Sequence, residues 1–305
     1  MEMKKREKAL EREREMEKGS TVDFNVLPEG CISNILSLTS PGDACRSSLV
    51  SSIFRWASES DIVWEKFLPS DYKDIISRSF SPSPVVFSSK KELYSRLCNT
   101  PILIDEGNKS FGLEKRSGKK CYMIGARELS IVWGDTPMFS EVAELINVCW
   151  LEIHGKMETR ILSPKTTYAA YLVFKFSDDT VYGLGFHPAE VSIRFIQGGD
   201  EGGGETRAVY LAPDGTQRRQ YRIVPRSIGR ISRSISHRLR LPASTSRERE
   251  GQRPKERGDG WMEIEMGEFF NDRGEDGEVE MSLKEVKSGH WKSGLVIQGI
   301  ELRPR

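Results

Sequence analysis

The apolar residues near the N-terminus follow a helical spacing. Ile32, Ile35 and Leu36 stand at positions i, i+3 and i+4, which places them on one face of a helix. Pro28 can begin this helix in its first turn, and the sequence SPGD that follows breaks it. Asp43, the last residue of that turn, is a candidate N-cap for the next helix. The pattern therefore predicts two short amphipathic helices in succession.

A third amphipathic helix is predicted further along. Trp64, Phe67 and Leu68 repeat the i, i+3, i+4 spacing, and Pro69 ends the helix because proline cannot continue it. Three such helices are too short to bury all of their apolar surface against one another. We therefore expect a partner surface to cover the remainder.

The spacing of apolar residues changes to a period of two from about Cys121. Leu129, Ile131 and Trp133 alternate with polar residues, which is typical of a strand with one face exposed to solvent. Glycine-rich turns separate several short strands, and this arrangement favours an antiparallel β-sandwich. The predicted fold class is therefore α+β, with several domains. The strands are predicted at 148–153, 168–176, 190–196, 207–211, 220–224, 262–266, 279–283 and 295–302.

The local composition of the chain predicts further segments outside the helical and strand regions. The 305 residues suffice for two domains, and the 30% of charged residues sum to a net charge of only +1. Residues 1–20 mix both charge signs without an apolar face and are predicted to be a disordered tail. Residues 71–100 contain serines and prolines and are predicted to be a helical or loop linker. An Arg-rich and Ser-rich insertion at about 227–257 is predicted to be disordered.

The basic insertion raises the question of nucleic-acid binding. Arginine-rich segments bind phosphate, but base recognition also needs aromatic residues for stacking, and Tyr221 alone stands near this insertion. We therefore do not predict nucleic acid as a partner.

Residues that could carry chemistry are dispersed. The five cysteines are odd in number and lack Cys-x-x-Cys spacing, so reduced core thiols are expected rather than disulfides or a zinc site. The four histidines stand apart from any nucleophile or metal-ligand motif. We predict neither an enzyme nor a cofactor or metal site. The absence of a long apolar run and the charged N-terminus predict a cytoplasmic or nuclear protein without membrane contact.

Two motifs in the helical region carry a resemblance to a known family. The sequence LPE at 27–29 and the sequence VWEKFL at 63–68 resemble an F-box, which covers residues 21–70. The resemblance implies docking on the adaptor subunit of an SCF-type cullin–RING ubiquitin ligase. The residues expected to bind this adaptor are Leu27, Pro28, Ile32, Ile35 and Leu36.

The strand region, residues 101–305, is similar to the phloem protein 2 (Nictaba-type) lectins of plants. The similarity is carried by the blocks at 126–134, 150–155, 259–264 and 289–295. It implies a jelly-roll-like sandwich that binds N-acetylglucosamine oligomers or the cores of N-linked glycans. The residues implied in carbohydrate binding are Trp133, Glu278 and Glu285. The segment after Trp133 is shorter than in the family and lacks its second stacking tryptophan.

The predicted function is therefore that of a substrate-recognition subunit, whose sandwich presents a glycoprotein or another target for ubiquitin transfer. Two alternatives stay open: a stand-alone carbohydrate-binding or RNA-binding lectin, and a ligase receptor that recognises protein surfaces alone. The alternating pattern also allows Trp133 in the core and Glu278 as a solvated carboxylate. Trp150, Trp261 and Trp291 are interpreted as core or edge packing.

Overall fold

The computed structural model describes residues 27–81, 86–132, 142–177, 181–197, 200–201, 205–212, 251–274 and 277–305. These residues form two compact units. The helical unit contains the chain up to Ser70 together with 86–96 and 115–118, and the sandwich unit contains the rest. The predicted tail at 1–20, Trp133 and most of the predicted basic insertion lie outside the described residues.

Among the described residues, four α-helices precede Ser70 in the helical unit; of the two that follow, the first lies in the sandwich unit and the second begins in the helical unit. No helix among the described residues is both long and apolar enough to cross a bilayer. The helices are α1 (Glu29–Ser37), α2 (Pro41–Ser47), α3 (Ser52–Glu59), α4 (Asp61–Phe67), α5 (Tyr72–Ser77) and α6 (Lys90–Asn99).

Trp64 organises the core of the helical unit. Its indole N–H donates to the carbonyl oxygen of Ser58 at 2.6 Å, so the ring is buried with its polar atom satisfied. The centroid of this ring lies 5.1 Å from the Tyr94 ring and 5.6 Å from the Phe67 ring. Ile32 of α1 is fully buried as well. The helical unit therefore has an interior of its own.

The start of α2 differs from the prediction. Ser40, not Asp43, is the N-cap: its hydroxyl accepts from the backbone N–H of Asp43 at 3.1 Å. Pro41 takes the first helical position, where its missing N–H costs nothing. Hydrogen bonds from Ser40 and Arg46 lower the pKa of Asp43. The prediction was wrong because a serine directly before a proline is an equally good cap.

The sandwich unit consists of two antiparallel sheets. Sheet A has the strand order β1-β2-β3-β14-β7-β12-β11 with β5 also paired to β14, and sheet B has the order β10-β8-β13-β6-β4 with β9 paired to β8. This confirms the α+β class with a β-sandwich. The strands are β1 (Ile102–Ile104), β2 (Lys109–Leu113), β3 (Lys120–Gly125), β4 (Ser130–Val132), β5 (Ala143–Leu145), β6 (Leu151–Glu158), β7 (Thr166–Phe176), β8 (Ala189–Gln197), β9 (Asp200–Glu201), β10 (Thr206–Val209), β11 (Lys255–Glu256), β12 (Met262–Asn271), β13 (Glu278–Glu285) and β14 (Leu295–Pro304).

The alternation of buried and half-buried residues explains the sheets. In β6, Leu151, Ile153, Gly155 and Met157 are buried, and the alternate residues point to the polar face. The predicted strand at 220–224 lies outside the described residues. Residues 251–257, predicted to be disordered, contain β11, which pairs with β12. The predicted jelly-roll connectivity remains a prediction.

Tyr168 provides a test of the sandwich core. Its fully buried hydroxyl donates to the Lys120 carbonyl at 3.0 Å and accepts from the Ser163 N–H at 2.9 Å. We expect Tyr168→Phe to lower the free energy of unfolding by about 1–3 kcal/mol, because two buried backbone groups lose a partner. Urea unfolding measures this loss. The control Tyr182→Phe removes the hydroxyl of a half-exposed tyrosine and should change the free energy of unfolding little. Equal unfolding midpoints for both variants would contradict the role of the Tyr168 hydroxyl.

Candidate functional site

The residues predicted to bind the adaptor separate into two groups. Ile32 and Leu36 are buried in the core of the helical unit, so neither side chain is available to a partner. Pro28 is exposed, Leu27 is half-buried, and Ile35 is 42% exposed. Pro28 is the N-cap of α1 with a ψ of 145°, so it directly precedes the helix and does not lie in its first turn as predicted, whereas Ile35 lies within the helix.

The structure adds apolar residues that the helical spacing did not identify. Leu38 directly follows α1 and is 86% exposed, and Leu49 and Val50 lie exposed in the connection from α2 to α3. Together with Pro28 and Ile35, these residues are called the apolar helical surface. Large aliphatic side chains that stay exposed on a unit with a closed core are candidates for contact with a partner protein.

The two glutamates predicted to bind carbohydrate do not share one site. Glu278 and Glu285 begin and end β13, and seven residue steps at about 3.3 Å place them roughly 23 Å apart. The odd separation also directs their side chains to opposite faces of sheet B. Trp133 lies outside the described residues; Val132, which precedes it, pairs with Glu152 in β6. A single sugar ring cannot contact both glutamates in this arrangement.

Glu285 is held in a buried ion pair. Its carboxylate contacts the Lys292 ammonium, and both side chains are almost completely buried. The ammonium also donates to the carbonyl oxygens of Cys149 at 3.0 Å and His290 at 2.8 Å. Burial lowers the pKa of Lys292. Glu285 at the end of β13 is therefore paired with Lys292 in the connection before β14, and Lys292 in turn contacts Cys149 in the connection before β6. Because Glu285 is buried, a sugar hydroxyl does not reach it.

Four large apolar side chains are exposed beside this ion pair. Two isolated bridges, Val148 with Lys292 and Tyr182 with Ser293, hold three connections of the sandwich together. Within two residues of these bridges, four side chains are each about half exposed or more. We call these side chains the aromatic patch; they are Ile146, Trp150, Tyr182 and Trp291. Trp150 and Trp291, interpreted from the sequence as core or edge packing, therefore lie at the edge of the sandwich and not in its core.

Comparison with known proteins decides the family. Residues 119–304 match the family described as phloem protein 2. The F-box protein PP2-B15 of Arabidopsis thaliana is 46% identical over 92% of this chain and 96% of its own length. The F-box protein PP2-B13 of the same plant is 44% identical over 92% and 98% of the two chains. The F-box protein PP2-B10 is 42% identical over 94% and 96%. The chain belongs to the plant F-box proteins that carry a phloem protein 2 domain.

The resemblance stated from the sequence is thereby confirmed. The phloem protein 2 match covers most of the sandwich unit, and the alignments with the named F-box proteins extend over nearly the whole chain. The names of these relatives describe F-box proteins and no enzyme.

The cysteines of this F-box protein are less buried than predicted. None of the five forms a disulfide bond in the structure. Cys31 and Cys45 are exposed, so the prediction of core thiols is wrong for these two. Both lie on short helices whose buried faces are occupied by other residues. Cys121 is largely shielded, and burial raises the pKa of its thiol to about 12.

The polar face of sheet B in this F-box protein is a network of charges. Glu152 accepts from Lys284 and from His154, each at 2.7 Å, and from the Trp150 indole N–H at 3.3 Å. Glu280 pairs with Arg194 at 2.8 Å on the neighbouring strands. The hydrogen bonds from Lys284, His154 and Trp150 lower the pKa of Glu152 from its ordinary value of 4.5 to about 2.

This shift predicts a pH dependence of stability. A carboxylate with a lowered pKa in the folded state stabilises the fold above its ordinary pKa, and this stabilisation is lost as the pH falls from 4.5 towards 2. We expect Glu152→Gln to lower the free energy of unfolding by roughly 1 kcal/mol at neutral pH and to flatten the acid slope. Urea unfolding across this range measures both. An unchanged slope would contradict the role of Glu152.

Proposed function

We propose that this F-box protein is the substrate-recognition subunit of an SCF-type cullin–RING ubiquitin ligase. The observation that carries the proposal is the apolar helical surface, which stays exposed although the core around Trp64 is closed. Covering aliphatic surface with a partner gains about 25 cal/mol per Å². The names of the relatives, F-box proteins over the same length, support the proposal.

The chain would act by proximity and not by chemistry. Holding a target beside the ubiquitin-transferring subunits raises the effective concentration of the acceptor lysine. The helical unit would supply the connection to the ligase through its adaptor, and the sandwich unit would select the target.

For target selection, we propose a lectin-type or protein-binding surface on the sandwich. Aromatic faces pack against the C–H patches of sugar rings, and half-exposed tryptophans are equally suited to anchor a protein segment. Trp150 and Trp291 of the aromatic patch have this exposure. Trp133 and Glu278, implied by the resemblance to the lectins, remain candidates for contacts with N-acetylglucosamine.

The adaptor proposal is tested by reconstitution. The purified full chain and the purified adaptor subunit are mixed and separated by size-exclusion chromatography with light scattering. We expect them to elute together with a mass of one copy each. Separate elution at concentrations of tens of micromolar would overturn the proposal.

The glycan proposal is tested with the full chain on an array of N-acetylglucosamine oligomers and N-linked glycans. Binding that Trp133→Ala abolishes would support the site implied by the lectin resemblance, and binding that Trp291→Ala abolishes would support the aromatic patch. If the wild-type chain binds none of these glycans, the lectin function is excluded and a receptor for protein surfaces remains.

A further inference from the structure

Two histidine rings from different connections lie side by side on the sandwich unit. The ring centroids of His187 and His290 are 4.8 Å apart, their planes are tilted by 38°, and both residues are exposed. His187 lies two residues before β8, and His290 lies between β13 and β14. The fold, not the sequence spacing, brings these rings together.

The backbone holds both connections in place. Tyr182 and Ser293 exchange two hydrogen bonds, of 3.2 Å and 3.0 Å, between the segments that carry the two histidines. Gly183 has a φ of +80° and passes so close to the Trp291 carbonyl that a side chain could not be accommodated. The buried Lys292 ammonium donates to the carbonyl oxygen of His290 at 2.8 Å. These backbone contacts therefore fix the positions of the two connections that carry His187 and His290.

The hydrogen bond of the His290 ring fixes its tautomer. Nδ1 lies 2.8 Å from the carbonyl oxygen of Ser288. A carbonyl oxygen can only accept, so Nδ1 carries the proton in this hydrogen bond. In the neutral ring Nε2 then keeps its lone pair. Histidines that bind metals are oriented in this way, by donating one ring N–H to a carbonyl or carboxylate.

The separation of the rings matches that of two imidazoles on one ion. With metal–nitrogen distances of about 2.0–2.1 Å and bond angles of 90–110°, the two ring centroids lie roughly 4.5–5.2 Å apart. The observed 4.8 Å lies within this range. We propose that His187 and His290 bind one divalent transition metal ion of the Zn²⁺ class. Along the described chain, no group of three or more metal-ligating residues exists, so water or donor atoms of a bound partner would complete the coordination.

Zinc titration of the full chain tests the proposal. The exposed thiols of Cys31 and Cys45 also attract zinc, so both are replaced by serine. The sequence contains four histidines, and their ring nitrogens give separate signals in a long-range ¹H–¹⁵N spectrum. We expect the signals of His187 and His290 to shift together and to saturate at one zinc per chain. His187→Ala should weaken zinc binding at least about tenfold.

A control variant and three contrary outcomes complete the test of the zinc site. His154→Ala removes a histidine of β6 that contacts Glu152, and this change should leave the titration of His187 and His290 unchanged. The proposal is overturned if the two rings respond with different midpoints, if His187→Ala leaves the response of His290 unchanged, or if shifts appear only at millimolar zinc. Because neither histidine belongs to the apolar helical surface, these outcomes are independent of the ligase proposal.

Discussion

The double substitution Ile35→Asp with Leu38→Asp is expected to weaken adaptor binding at least about 100-fold, or roughly 2.7 kcal/mol. Both side chains are exposed in the chain alone, so their replacement leaves the core of the helical unit intact. In the complex, two carboxylates would be transferred into an apolar interface without partners, which costs several kcal/mol. Isothermal titration of the purified adaptor into each chain measures the change.

The matched control for this prediction is Phe270→Asp. Phe270 is an exposed apolar residue on β12 of the sandwich unit, and its replacement introduces the same charge. Adaptor affinity should stay within about twofold of the wild-type value, and thermal unfolding should confirm that both variants are folded. Equal affinity of the wild-type chain and the Ile35/Leu38 variant would show that the apolar helical surface does not bind the adaptor.

The second large effect is expected at the buried ion pair. Lys292→Met should lower the free energy of unfolding by about 3–5 kcal/mol, because the Glu285 carboxylate would remain buried without its partner. The double variant Lys292→Met with Glu285→Leu should be more stable than Lys292→Met alone, since the uncompensated charge is then removed. Urea unfolding of the wild-type chain, the Lys292→Met variant and the double variant at neutral pH measures these changes in the free energy of unfolding.

An exposed ion pair serves as the control for the buried Glu285–Lys292 pair. Lys165 pairs with Asp272 at the surface, and Lys165→Met should change the free energy of unfolding by less than about 1 kcal/mol. If Lys292→Met proves as mild as Lys165→Met, or if the double variant is less stable than Lys292→Met, the Glu285–Lys292 pair does not support the fold as described.

The sequence predicted α1, α2 and α4 but missed α3, and it did not show which helical residues face a partner. The i, i+3, i+4 spacing of Ile32, Ile35 and Leu36 marks an apolar face. It cannot specify whether another helix of the same unit or a second protein covers that face. In the structure α3 and α4 pack against α1, so Ile32 and Leu36 are buried internally and Ile35, at the edge of the face, stays exposed.

The two glutamates of β13 and the aromatic patch differ in how far the sequence predicts their positions. The separation of Glu278 and Glu285 was readable from the strand period, because an odd spacing within one strand places side chains on opposite faces. No periodic pattern in the sequence predicted the aromatic patch. Trp150, Tyr182 and Trp291 come together only through bridges between connections that are distant in sequence. Short bridges of this kind leave no periodic pattern.

Hydrogen exchange of the full chain, with and without saturating adaptor, tests the central claim most directly. The account predicts that the adaptor slows amide exchange in α1 with the following Leu38, and in the connection from α2 to α3 that contains Leu49 and Val50. Exchange in β6 and β13 of the sandwich should not change. Slower exchange confined to the sandwich, or no change at any amide, would contradict the assignment of the apolar helical surface as the ligase-binding face.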